Sequence, residues 1–253
     1  MALSSRPYAN RYVPSNRFPL GTKWLLIVTS AISILYLVLQ NRQIGSFLDH
    51  FELVPSMVLQ SFAIWQVVTY LFLHGGIMHL LWNMLALWMF GAELERTWGT
   101  PRFLRFYFAC GIIAGLTVVV AAIIFGGQDS RTVGASGAIM GILVGYAVMF
   151  PDRTLLFGFL IPLKSKYFVM IIAAVVVFQS FSSVSGHGPA SVAVMAHLGG
   201  LAAGYFLLRG KWLYGRGNLV ASDAYKDWKL RRAKKKFQVY LRKNDSRRDR
   251  TLH

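Results

Sequence analysis

The chain has 253 residues, 55% of them apolar and only 15% charged. With glycine counted in and tyrosine out, roughly 60% are apolar, against about 45–50% in soluble domains; this excludes a disordered segment and an ordinary water-soluble enzyme. The net charge of +17 is terminal: residues 1–23 carry +4, residues 24–208 carry +2 and residues 209–253 carry +11. The single cysteine, Cys110, excludes an intrachain disulfide and a multi-cysteine metal site.

In chain order, a basic leader over 1–23 precedes the first apolar stretch, Trp24–Gln40. No small-x-small cleavage site follows it, so a retained anchor is expected rather than a secretory signal. Residues 41–75 form a long connection of mixed polarity, expected to lie partly in the outer leaflet. Five further stretches reach the 17–25 residues that a spanning helix needs: Gly76–Ala92, Phe103–Phe125, Gly134–Phe150, Tyr167–Ser183 and Ser191–Leu208. The run Thr154–Leu163 is too short to span and is expected at the interface. The tail, 209–253, interleaves Trp228, Leu230, Phe237, Val239, Tyr240 and Leu241 among its basic residues, as an amphipathic surface helix or a small appendage would. The expectation is an all-α polytopic membrane protein with six spanning helices in one domain, 24–208.

With six spans both termini share a side. Placing them in the cytoplasm puts all but Arg42 and Arg131 of the 27 basic residues inside, as the positive-inside rule requires. The basic termini then face an anionic leaflet, and that electrostatics needs no nucleic acid.

Polar residues at membrane depth are costly and therefore informative. The spans hold no Asp, and Glu93 and Glu95 fall just beyond the second, so an aspartyl protease and an ion-coupled carrier lack their carboxylates. The pattern His79-Leu-Leu-Trp-Asn83 lacks the glutamate and second histidine of a zinc helix, so no metal is expected. What remains is His74, His79 and Asn83 around the second span, Ser136 in the fourth and His197 in the sixth. His79 and Asn83, four apart, share a helix face. Taken singly, each residue has a structural explanation in helix–helix bonding.

Glycine context changes the weight of two of them. Ser136 lies in Gly134-Ala135-Ser136-Gly137, and Gly137, Gly141 and Gly145 form a row of small residues. His197 lies beside a second row, Ala196, Gly200 and Gly204. Such rows let helix backbones approach closely, which is what a serine–histidine pair within about 2.6–3.2 Å requires. Ser136 also opens its span, where helix N–H groups lack intrahelical partners and can meet an oxyanion. No acid at depth orients His197, so a catalytic unit here is a dyad.

These residues resemble the rhomboid intramembrane serine proteases of the six-helix prokaryotic type. The likeness covers about Trp65 to Leu208 and rests on four groups. They are Trp65, Thr69, His74, His79 and Asn83; then Glu95, Gly99 and Phe103; then Gly134–Gly137; then Ala196–Gly200 and Gly204. The resemblance implies Ser136 as nucleophile, His197 as general base, an oxyanion hole from His79, Asn83 and the Ser136 backbone, and supporting roles for His74, Gly134, Gly137 and Gly200. There are two departures: Gln66 follows Trp65 where the family often has arginine, and Met140 stands where some members stack an aromatic on the histidine, a supporting place that a sulfur–ring contact is expected to fill.

The implied activity is hydrolysis of peptide bonds in transmembrane helices of other proteins, without a cofactor, at a prokaryotic cell membrane. Without a carboxylate on His197, turnover is expected to be slow. The fifth span lacks a glycine row and carries Phe178 and Phe181, which suits a lateral gate. The alternative is a catalytically silent relative that binds and escorts membrane helices.

Overall fold

The computed structural model describes residues 18–40, 45–157, 161–185 and 189–209, with the side chains of 45, 46, 157, 179–185 and 189–193 left aside. The expectations for the leader, the tail and the Phe181 side chain lie outside the described residues.

Helix α1, Leu20–Leu39, buries Gly21, Thr22, Leu25, Thr29, Ser33 and Tyr36, spaced three or four apart along one face. That face is mostly polar, while Ile27, Val28, Ile34, Leu35 and Val38 point outward. This inversion suits a helix whose outer surroundings are lipid. The connection that follows holds three short helices: α2 (Gly45–Asp49), α3 (Pro55–Gln60) and α4 (Gln66–Thr69). It exposes Phe47, Leu59, Phe62, Ile64 and Trp65, an apolar surface in keeping with a place in the leaflet. Gln66 is fully buried at its centre. Its amide oxygen accepts from the Val54 N–H (3.0 Å) and its amide nitrogen donates to the His50 carbonyl (3.0 Å). A neutral amide thus staples the connection where the family often has a cation.

Helix α5, Ile77–Ala86, runs through a wider π turn, Leu87–Gly91, into α6, Ala92–Trp98. The apolar stretch ends at Ala92; the helix continues to Trp98 and takes Glu95 inside. The Glu95 carboxylate accepts from the N–H groups of Gly21 (2.8 Å) and Thr22 (2.6 Å) and from both neighbouring threonine hydroxyls, of Thr22 and Thr100. It therefore caps the N-terminus of α1, whose first N–H groups have no partner within their own helix.

Helix α7, Thr100–Phe125, is the centre of the bundle. Phe103, Phe106, Tyr107, Cys110, Ala114 and Val118 are fully buried along it. Helix α8, Ser136–Met149, packs against α7 through a face rich in glycine. The run Thr154–Leu163 folds as an antiparallel hairpin, β1 (Thr154–Phe157) with β2 (Ile161–Lys164), so this segment is a small sheet within an otherwise helical fold. Helices α9, Ser165–Ser185, and α10, Pro189–Arg209, complete the domain. Of the α9 side chains described, Ser165, Val169 and Val176 are buried, while Tyr167, Met170, Ile171, Val175, Val177 and Phe178 are exposed; this helix packs on a narrow strip.

The long run Ile77–Trp98, α1 and α7 are each long and apolar enough to cross a membrane. At about 1.5 Å per residue, α9 and α10, with 21 residues each, reach about 31 Å, the thickness of the hydrocarbon layer. Helix α8, with 14 residues, reaches only about 21 Å. The result is an all-α polytopic membrane bundle with one short inner helix.

Candidate active site

The short helix sets the depth of the site. Just beyond the C-terminal end of α8 lie Asp152, held by Lys164 (3.3 Å) and Lys166 (3.0 Å), and Arg153, paired with Glu93. Such a charged layer belongs at the membrane surface. Ser136, at the other end of α8, is then about 20 Å along the helix from that charged layer.

Close packing carries α10 to it. A Cβ added at Gly137 would meet Ala114 Cβ at 2.6 Å and the Ala196 carbonyl at 3.2 Å, and one at Gly200 would overlap the Gly137 carbonyl. A Cβ at Gly204 would lie 2.8 Å from Gly141 Cα. Gly137 and Gly141 therefore face Ala196, Gly200 and Gly204 backbone to backbone. Gly145 turns elsewhere, toward Leu94, Trp98 and Phe106. In that contact His197 Nε2 lies 2.8 Å from Ser136 Oγ, in a partly buried setting. The distance allows proton transfer between hydroxyl and imidazole.

The backbone before Ser136 is fixed from several sides. Thr132 pairs with Leu53 through two backbone bonds of 2.9 and 3.0 Å, and Arg131 reaches Asp49 (2.8 Å) and Glu52 (3.3 Å). The Asp49 carboxylate, with Glu52 beside it, raises the Arg131 guanidinium above its ordinary pKa. The buried Glu52 in turn accepts from the Tyr36 hydroxyl. Gly134 donates its N–H to the Tyr70 carbonyl (2.9 Å) and sits at φ +125°, where side chains are rarely tolerated. A Cβ there would also strike the His79 ring, at 2.7 Å from Cε1.

His74 is fully buried and continues this frame. Its Nδ1 lies 2.8 Å from Ser33 Oγ, and its Nε2 accepts the Ala135 N–H at 3.4 Å. Ser33 Oγ donates to the Phe72 carbonyl, which makes His74 Nδ1 the donor and Nε2 the acceptor. A second ring proton would face the Ala135 N–H head on. Burial, with the neighbouring His79 imidazole adding to it, pushes His74 down to about 3. Its ring is edge-on to His79, centroids 5.0 Å apart.

Asn83 is buried and its amide donates back to the His79 carbonyl (2.8 Å). Met140, one turn below Ser136, is half-buried against the core. Sequence reasoning missed the connections made by Glu95, Gln66 and Arg131, because each depends on residues brought together from distant segments. Among the described residues no group of three or more His, Cys, Asp or Glu side chains could hold a metal ion.

A family model described as the rhomboid domain matches residues 61–212. The rhomboid protease GluP of Bacillus subtilis (strain 168) is 36% identical over 143 residues, 56% of this chain and 25% of that protein. YdcA of the same organism is 34% identical over 143 residues, 56% of this chain and 65% of that protein. The rhomboid protease GlpG of Yersinia pseudotuberculosis is 26% identical over 211 residues, 81% of this chain and 68% of that protein. The chain thus spans less than two thirds of the length of the two Bacillus relatives. The family match runs from the turn that carries Trp65 and Gln66 through the whole of α10, more than half of the sequence, and on that ground the chain belongs to the rhomboid family.

Proposed function

We propose that the protein is an intramembrane serine endopeptidase that cuts transmembrane helices of other proteins through a Ser136–His197 dyad. The observation that carries the reading is the 2.8 Å approach of Ser136 Oγ to His197 Nε2 on two helices whose glycines serve no other evident purpose than contact. Ser136 Oγ attacks the scissile carbonyl while His197 Nε2 takes its proton. The oxyanion forms at the N-terminus of α8, where the Ser136 N–H meets it, and His79 and Asn83 add side-chain donors. Asn83 contributes the amide hydrogen that its bond to the His79 carbonyl leaves over. His197 returns the proton to the leaving amine, and water then releases the acyl-enzyme by the same route. No cofactor or metal enters.

Among the described residues no carboxylate bonds His197, so neither its orientation nor its charged form has the support that a triad supplies; slow turnover follows. In a hydrocarbon layer about 30 Å thick, a site about 20 Å from the charged layer lies about 10 Å below the opposite surface, where it meets a peptide bond still shielded by its helical hydrogen bonds. The substrate must unwind locally, and glycine or proline near the cut favours this. In a cell membrane with both termini cytoplasmic, the Ser136 end of α8 faces outward, and the charged layer beyond α8 faces inward.

The test is cleavage in proteoliposomes of a single-span helix carrying a Gly-Pro break one or two turns inside its outward end. Wild type is expected to release a defined product, and the same helix with leucines at the break is expected to be cut at least tenfold more slowly. Equal cutting of both helices, or of a soluble unfolded peptide alone, would contradict the reading.

A further inference from the structure

The end of α6 that carries Arg96, joined through Gly99 to the start of α7 with Arg102 and linked through Glu93 to Arg153, also borders a cleft that the chemistry above does not use. It has a volume of about 430 Å³ and lies between the α5–α6 run, α8 and β1. Trp88, Phe90, Tyr146 and Leu155 form its walls, and Glu93 and Arg96 stand at its rim. Trp88, 52% exposed, and the buried Phe90 both lie within the wider π turn at Leu87–Gly91. Local π turns of this kind recur at functional sites.

The charges at the rim are unequal. Glu93 is occupied by Arg153 and by the Tyr146 hydroxyl (3.4 Å), whereas Arg96 is exposed and has no ion-pair partner among the described residues. An apolar lining beside a guanidinium without an ion-pair partner matches the two ends of a phospholipid. The guanidinium suits a phosphate because it can donate two parallel hydrogen bonds.

We propose that this cleft binds one anionic phospholipid, its headgroup phosphate on Arg96 and its upper acyl methylenes against Trp88, Phe90 and Leu155. Basic residues close to the surface draw anionic lipid in, and the aromatic walls hold the chain. The site is distinct from the Ser136 end of α8 and does not depend on the catalytic reading.

The experiment reads Trp88 fluorescence in phosphatidylcholine vesicles doped with brominated lipid, taking the Trp88 signal as the difference from Trp88→Phe. Brominated phosphatidylglycerol is expected to quench at about fivefold lower mole fraction than brominated phosphatidylcholine. Arg96→Gln, an exposed change checked for an unaltered thermal midpoint, is expected to make the two lipids equal. Arg102→Gln, at the start of α7 but outside the cleft, is expected to leave the preference intact. Equal quenching by both lipids in the wild type would overturn the site. So would loss of the preference in Arg102→Gln, which would make the effect one of general surface charge. Displacement of the quencher by free glycerol phosphate would overturn the lipid as occupant.

Discussion

Ser136 and His197 are 61 residues apart in sequence and 2.8 Å apart in the structure, and the groups around them are nearly all neutral hydrogen-bonding ones. His74 is the clearest case. It must stay neutral to accept the Ala135 N–H, and it binds fewer protons when folded than when unfolded between about pH 3 and pH 6.5. Stability therefore rises with pH across that window: the contribution is complete above pH 6.5 and is lost as the pH falls toward 3. The slope is about 1.4 kcal/mol per pH unit. Thermal unfolding in detergent at pH 7 and pH 5 is expected to show this loss in wild type and a flatter dependence in His74→Gln, whose amide does not titrate in this range. An identical pH dependence in both proteins would remove His74 as its source. Gln66 resolves one departure from the family pattern by the same logic: two neutral hydrogen bonds hold the connection without a cation.

Helices meet here by two different devices. Helices α8 and α10 touch through absent side chains. Gly200→Ala would press a methyl into the Gly137 carbonyl and push His197 away from Ser136. A displacement of about 1 Å is enough for a roughly 100-fold loss of activity, with helix content unchanged by circular dichroism, whereas Ala202→Leu on the exposed side of α10 is expected to be near neutral. Helix α1 is instead held by a charge. Glu95→Gln removes a carboxylate that accepts four hydrogen bonds and, since an amide keeps only one oxygen, puts its NH2 against the N–H of either Gly21 or Thr22. A loss of about 3 kcal/mol is expected, read as a lower unfolding midpoint. A midpoint within experimental error of wild type would show that α1 docks without its cap.

At the scale of the whole molecule, the bundle was legible in the sequence because lipid imposes a strict rule: long apolar runs become helices, and polar residues inside them need partners. Six runs, the row Ala196, Gly200 and Gly204 and the isolation of Ser136 and His197 could all be read in that way, whereas of the other row only Gly137 and Gly141 join that contact and Gly145 faces Leu94, Trp98 and Phe106. The hairpin at Thr154–Lys164 could not, since a ten-residue apolar run has no periodicity that separates strand from helix. Nor could the ends of the second span, because Glu95 reads as a surface charge until the N-terminus of α1 is seen resting on it. The grip of Arg131 on Asp49 and Glu52 was hidden for the same reason; ion pairs between distant loops leave no spacing to count. What the glycine rows suggested and the structure describes is a hydroxyl and an imidazole pressed together inside a membrane domain. The most direct measurement of whether that contact activates the serine is labelling of the purified protein in liposomes by a fluorophosphonate probe, with wild type beside Ser136→Ala and His197→Ala. The account predicts labelling in wild type, none in Ser136→Ala, and a loss of at least 1,000-fold in rate for His197→Ala, with all three proteins equally folded. Labelling that survives the loss of His197, or a folded wild type that does not label at all, would contradict it.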